Sequence, residues 1–320
     1  MANTTFETYG TVGIREDLAD IIYNIAPTDT PFISNVGKGS ASGTYQEWQT
    51  DDLSAATDNK VNEGVAAPAA ESSATARVGN YTQIASKTVS VSGSNEVADA
   101  AGRSSQMAYQ LAKKGMELKR DMEKTLVGTD KAQSAGVAAG GSQAPRELGS
   151  VTSWIGTNCS VGATTGAVPT GDGTDIATSG DARPLTDTLL NGVIEDIWQA
   201  GGNPSMIMCG AFQKSKITGF EGNTNTARKF TDAESKKFIN AVDVYVSDYG
   251  ELNVVPNRLM LTDTLLVLQP DMWSVDTYRD FQTKDLAVTG DFESKQLLVE
   301  YTLTSKNEAA SGAIRDLTTA

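Results

Sequence analysis

Few residues in this chain could carry chemistry, and histidine is absent from it. Without imidazole there is no Ser-His-Asp or Cys-His nucleophile pair and no His-ligated metal. The two cysteines, Cys159 and Cys209, stand far apart and outside any CxxC pair, so they read as free thiols of a reducing compartment. Gly37-Lys38-Gly39-Ser40 has the look of a phosphate loop, but Phe32 occupies the position of the leading glycine and Gly39 that of the Ser or Thr after the lysine. No GxGxxG follows a strand and no GxSxG elbow exists. The run from Gly166 to Gly180, with Asp172 and Asp175, has the composition of a calcium loop but not EF-hand spacing, and reads as a solvated loop. Among 40 acidic residues, Glu47 with Asp51 or Asp243 with Glu300 are conceivable hydrolase pairs, and nothing in their spacing sets them apart from solvated charges. The expectation is a chain with no catalytic, metal-ligating or cofactor-binding residues.

The elements that would position any site begin with a short helix. Ile14, Leu18, Ile21, Ile22 and Ile25 recur at helical spacing, with Glu16 and Asp17 at the positive end of the dipole and Pro27 as the stop. With two prolines following, this segment must pack on something else. Gly37, Gly39 and Gly43 read as a flexible exit from it. Tyr45–Thr50 and Gln83–Ser92 alternate as strands. The stretch between them, Asp51 to Asn80, has almost no large apolar residue and cannot offset its own ordering entropy. It is either a disordered loop or a two-stranded arm whose tip is ordered by a neighbouring molecule.

Ser104 to Val127 is the strongest helix, with Met107, Leu111, Gly115, Leu118, Met122 and Leu126 on one narrow stripe suited to lying across a sheet. Glu117 with Arg120, and Asp121 with Lys124, are spaced as ion pairs. Gly115 on the stripe points to close backbone approach by a strand. Leu185 to Ala200 is a second helix, with Thr186 as its N-cap, Trp198 on an apolar face, and Gly201 to Pro204 ending it. Ser205–Cys209, Val242–Ser247, Leu252–Val255, Leu265–Leu268 and Leu297–Thr304 read as strands, and 129–182 as loop-rich.

At 320 residues the chain can bury a substantial core, in about two domains or one elaborated fold. The balance of 26 basic against 40 acidic residues gives −14, which disfavours tight binding to phosphate backbones. No stretch approaches the ~20 apolar residues of a membrane span, and the N-terminus lacks the basic and apolar regions of a signal peptide. The expectation is a soluble intracellular product with no membrane partner.

The order of these parts resembles the major capsid (major head) protein of tailed bacteriophages, the Hong Kong ninety-seven-type fold. The resemblance is carried by Ala26–Phe32 as an arm segment, Met116–Glu123 within a spine helix, Arg146–Ile155 leaving the spine, Ala200–Pro204 after the next helix, Tyr249–Arg258 as a hairpin and Val299–Thr304 as a closing strand. It implies an α+β fold with an N-terminal arm (1–39), an extended two-stranded loop (40–92), a peripheral domain with the spine helix (93–182 and 291–320) and an axial α/β domain (183–290). It implies a structural subunit of a bacteriophage virion, assembled in the host cytoplasm into hexamers and pentamers of an icosahedral shell around DNA. Partners are then the chain itself, a separate scaffolding protein (the arm starts within the first residues), a portal, decoration proteins, and DNA through weak non-specific contact. Ile14, Leu18, Ile22, Trp48, Lys60, Arg77, Arg120, Asp121 and Glu123 are the expected inter-subunit contacts. Lys60 near the loop tip has no surroundings that match a crosslinking site, so no covalent crosslinks are expected. A tail or fibre component is the alternative, and a carboxylate-based hydrolase a third reading.

Overall fold

The computed structural model describes residues 29–64, 66, 74–98, 105–137, 144–220 and 243–319. Ile14, Leu18 and Ile22 lie outside them. The described chain runs α1 (Pro31–Asn35), β1 (Gly37–Ser40), β2 (Tyr45–Thr50), β3 (Ala76–Tyr81), β4 (Gln83–Ser92), α2 (Gly93–Val97), α3 (Gln106–Val127), α4 (Val151–Trp154), β5 (Cys159–Ser160), α5 (Asp187–Gln199), β6 (Met206–Cys209), α6 (Ala211–Thr218), β7 (Val244–Ser247), β8 (Gly250–Pro256), β9 (Leu265–Leu268), β10 (Trp273–Asp285), β11 (Phe292–Ser305) and β12 (Gly312–Ile314).

Helix α3 starts where Ser105 accepts a hydrogen bond from the Ala108 amide at 3.2 Å, and ends at Gly128. Its stripe of Met107, Leu118, Met122 and Leu126 is buried, and the helix lies across β4 and β11. The expected pairs on its outer face are replaced by others. Glu117 takes Lys114, and Asp121 reaches across to Lys87 on β4 at 2.6 Å. Gly115 needs no close approach, since a Cβ there would sit 3.7 Å from Leu297 Cδ2, an ordinary contact. Replacing Gly115 with alanine should therefore raise stability by up to about 1 kcal/mol through helix propensity. Urea midpoints check this, and a lower midpoint would contradict it.

Two sheets organise the rest. A four-stranded sheet has the order β1-β10-β11-β4, with β1 parallel to β10 and the other pairs antiparallel. The expected glycine exit is thus a strand. Gly39 leaves room there for the Asp276 carboxylate, which would have to shift to admit a Cβ. A six-stranded mixed sheet has the order β5-β12-β9-β6-β8-β7. It draws β5 and β12 from segments expected in the peripheral domain, while β10, expected in the axial one, lies in the four-stranded sheet.

The central strands of the six-stranded sheet, β12, β9 and β6, are buried on both faces, and their period of two divides their residues between two cores. Met206, Met208, Leu266 and Leu268 join Trp154, Trp273, Tyr301 and Leu118, Met122 and Leu126 of α3. Ile207, Cys209, Leu265 and Val267 join Leu190, Val193, Ile194 and Ile197 of α5. Thr186 caps α5 by accepting from Leu189 N, as its sequence indicates. Trp198, expected in the core, is 56% exposed and stacks on Tyr249 with ring centroids 5.3 Å apart. Leu190, Val193, Ile194 and Ile197 face the sheet, and Trp198, next in the row of Leu190 and Ile194, lies past its cover at the end of the helix.

Candidate assembly surfaces

The arm joins the body at Glu123. Residues Pro31–Asn35 form one helical turn with proline at its start, a position that needs no amide donor. The free amides of that first turn point at the Glu123 carboxylate on α3. Phe32 N donates to Oε1 at 2.7 Å and Ile33 N to Oε2 at 3.0 Å, while Asn257 Nδ2 donates to Oε1 at 2.7 Å. Glu123 is fully buried and caps α1 from another helix. Burial pushes its carboxyl above the ordinary range, and the three hydrogen bonds only partly oppose this. The expectation that Glu123 bridges subunits is corrected here: both oxygens are engaged within the chain.

The extended loop begins as a ribbon. β2 and β3 pair antiparallel from Tyr45 opposite Tyr81 to Thr50 opposite Ala76. The two-stranded reading of this region therefore holds at its base. Its root is pinned by Asn80, which is buried, donates to Leu303 O at 2.9 Å and accepts from Gly149 N at 2.9 Å. Trp48 is half-buried, with its ring 5.2 Å from that of Trp154 against the first core. Arg77 lies across the ribbon from Glu47 at 3.1 Å, and Lys60 pairs with neighbouring Asp58, both well exposed. Residues 51–64 are exposed throughout. Limited proteolysis of unassembled subunits should cut first between Asp51 and Ala76, and assembled particles should resist. Mass spectrometry of the first fragments checks this, and equal cleavage rates in both states would count against a loop covered by neighbours.

A buried ion triad joins the ribbon, the spine exit and the long hairpin. Glu300, only 2% exposed, accepts from Arg146 Nη2 at 2.6 Å, Arg279 Nε at 2.7 Å and Thr82 Oγ1 at 2.7 Å. Sequence reasoning placed Arg146 and Glu300 in separate segments and missed their union. The available signal was a carboxylate inside the apolar run Leu297-Leu298-Val299-Glu300-Tyr301, a place where a charge must be paired.

The remaining candidates fall apart as sites. Asp243 pairs with Lys214 beside the six-stranded sheet, whereas Glu300 is in the four-stranded sheet. Asp172 accepts from Thr174 N and Thr174 Oγ1, Asp175 from the Thr170 amide, and the one Thr170 hydroxyl proton is shared between the two carboxylates. Partial burial works against ionisation of Asp172, but these bonds hold its carboxyl below the ordinary range. The loop thus satisfies its own carboxylates. Among the described residues no group of three or more His, Cys, Asp or Glu gathers for a metal, and no helix is long and apolar enough to cross a membrane. Cys159 and Cys209 are free, and burial pushes both thiols up to about 11. Arg120 is half-buried, and its Nε finds no partner among the described residues. Asp121 is half-exposed beside Lys87.

What remains is a body whose described surface carries an exposed extension, the β2–β3 ribbon with residues 51–64 beyond it, and such an extension is equipment for overlapping a neighbour. Solved structures of the same fold include the cyanophage A-1(L) capsid asymmetric unit, with a TM-score of 0.68 at 12% identity over 96% of this chain and 98% of that one. The capsid of a native GTA particle aligns with a TM-score of 0.61 at 9% identity, covering 99% of this chain and 100% of that one. The major capsid protein of Escherichia phage Phieco32 is 29% identical over 352 residues, covering 98% of this chain and 97% of that protein. The model of the SU10 major capsid protein family matches residues 2–318. A match over nearly the whole length, with the fold of phage capsids beneath it, places this chain in the SU10 major capsid protein family.

Proposed function

We propose that arm, ribbon and spine join copies of this major capsid protein into the hexamers and pentamers of a tailed-phage head, an icosahedral shell that encloses the DNA genome. The protein is a structural subunit of the virion and not an enzyme. The observation that carries the reading of its contacts is the ribbon of Tyr45–Thr50 with Ala76–Tyr81, pinned at its Asn80 root, and the exposed residues 51–64 that lead away from it without a core of their own. Such an element gains burial only against a second copy, and many weak contacts per subunit sum to a stable shell.

In this reading Trp48, Lys60 and Arg77 meet a neighbour from the ribbon, Arg120 and Asp121 from the spine, and Ile14, Leu18 and Ile22 from the arm. In the same reading a peripheral part, 93–182 with 291–320, sits at the rim of a capsomer and an axial part, 183–290, at its centre, with β5 and β12 lent to the axial sheet and β10 to the peripheral one. A separate scaffolding protein, a portal and decoration proteins are the further partners, with assembly in the host cytoplasm. The balance of −14 favours only weak attraction to packaged DNA. Negative-stain electron microscopy over a concentration and salt series tests the proposal. Shells or five- and six-fold rings are expected; uniform small particles under all conditions, scaffold supplied, would overturn it.

A further inference from the structure

An apolar groove runs along one flank of α3, where the helix leaves the β10–β11 hairpin uncovered. It has a volume of about 660 Å³ and is lined chiefly by Leu111, Gly115, Met116, Phe281 and Leu297, with Lys119 at its rim. Met116 and Phe281 are 41% and 42% exposed, although they stand on a long helix and a long strand of the body. Large apolar side chains facing an open trough call for a cover.

The same chain holds a segment that matches the trough in chemistry, length and position. Ile14, Leu18, Ile21, Ile22 and Ile25 form one stripe at helical spacing, and Glu16, Asp17 and Asp20 fall on its flank and back. That acidic side complements Lys119. As a helix the segment would be roughly 20 Å long, and the groove from Ala108 to Lys119 extends roughly 17 Å along α3. The described chain begins at Asp29, only three residues after Ala26, and α1 is fastened by Phe32 and Ile33 to Glu123. Glu123 is four residues from Lys119 and eight from Gly115, on the same flank of α3. Three extended residues span about 10 Å, enough to lead from that fastening into the groove.

We infer that in the unassembled subunit this groove holds the chain's own Ile14–Ala26 segment, so that the stripe offered to a neighbour in the shell stays covered until subunits meet. The inference rests on the proposed clasping role of the arm, and adds where the arm is kept beforehand.

The test uses the full-length unassembled subunit with Ile22→Cys and Met116→Cys together, treated with a short bismaleimide crosslinker. Each single variant controls for Cys159 and Cys209, and Ile22→Cys with Lys113→Cys controls for chance encounters. The expected result is that most chains carry an internal link between positions 22 and 116, and that its yield is unchanged over a hundredfold dilution. Links only between chains, falling with dilution, would assign the groove to a second copy and overturn the proposal. A yield equal to that of the Lys113 control would overturn it too. A second readout is tryptic cleavage after Arg15, expected to be at least tenfold faster in Met116→Asp than in wild type; equal rates would count against a covered arm. Shells formed by the wild type would stand in either case, so failure here is separable from failure of the assembly proposal.

Discussion

Removing the Glu123 carboxylate, as in Glu123→Ala, should lower the stability of the unassembled subunit by on the order of 3 kcal/mol. The substitution leaves the Phe32 amide, the Ile33 amide and one Asn257 donor without their acceptor. It also opens a void at a fully buried position. Glu123→Gln keeps one acceptor but turns an NH2 group toward the remaining amide, so its loss should be smaller. The carboxyl is raised in the folded state by burial. A raised carboxyl binds its proton more tightly folded than unfolded, so its contribution is full below the ordinary glutamate value of about 4.3 and is lost as pH rises through the folded value. The stability of wild type relative to Glu123→Gln should accordingly fall with rising pH in that window and then level off. Urea midpoints of both proteins across that range measure it, and a difference that grew with pH would show that hydrogen bonding, not burial, governs the group. Hydrogen exchange at Phe32 and Ile33 should quicken in Glu123→Ala, because the arm root has lost its fastening.

Glu300→Ala should cost more, about 3–5 kcal/mol, because it strands two guanidinium groups that are themselves only partly solvated. The loss is not the net worth of the ion triad, since apolar replacements of all its members can pack as well; it is the penalty of unpaired charge. Three segments depend on this one side chain: Thr82 at the start of β4, Arg146 leaving the spine and Arg279 on β10. A double-mutant cycle with Arg279→Ala should therefore be strongly non-additive, the pair costing less than the sum of the singles. Additive losses would show that the two residues act independently.

The parts of the fold legible in the sequence are those whose burial follows a single period. The stripe on α3 and the rows on α5 announce their helices, and Gln83–Ser92 and Leu265–Leu268 occupy the spans their sequences indicate. β10 escaped because register shifts between Thr277 and Arg279, and again between Arg279 and Gln282, break its alternation. β1 escaped because glycines were read for freedom, where Gly39 instead makes room for Asp276. Trp198 misled because an apolar face on a helix does not say how much of that face the sheet can cover. The surfaces were less legible than the fold. Arg77 stands on the β2–β3 ribbon and Lys60 on the exposed stretch beyond it, but Trp48 leans on Trp154, and Glu123, chosen as a charge on a polar face, lies beneath α1, which no local pattern foretells. The triad at Glu300 joins residues 82, 146, 279 and 300, a convergence set by topology.

The four-residue β1 pairs with only the first part of β10, from Ser274 to Thr277, while β10 and β11 run on together as far as Asp285 and Lys295. Beyond Thr277 the outer edge of β10 has no strand beside it among the described residues, but β11 stays paired with β4 from Tyr301 to Phe292 and lies under α3. The far half of the hairpin is therefore one layer of a laminate and not a lever. A load on the free edge of β10 passes sideways through β11 into β4 and the spine, and Glu300, gripped by Arg279 and Arg146, ties the same laminate to the spine exit. Strain applied at the edge of a subunit is thereby spread over strand, helix and loop together.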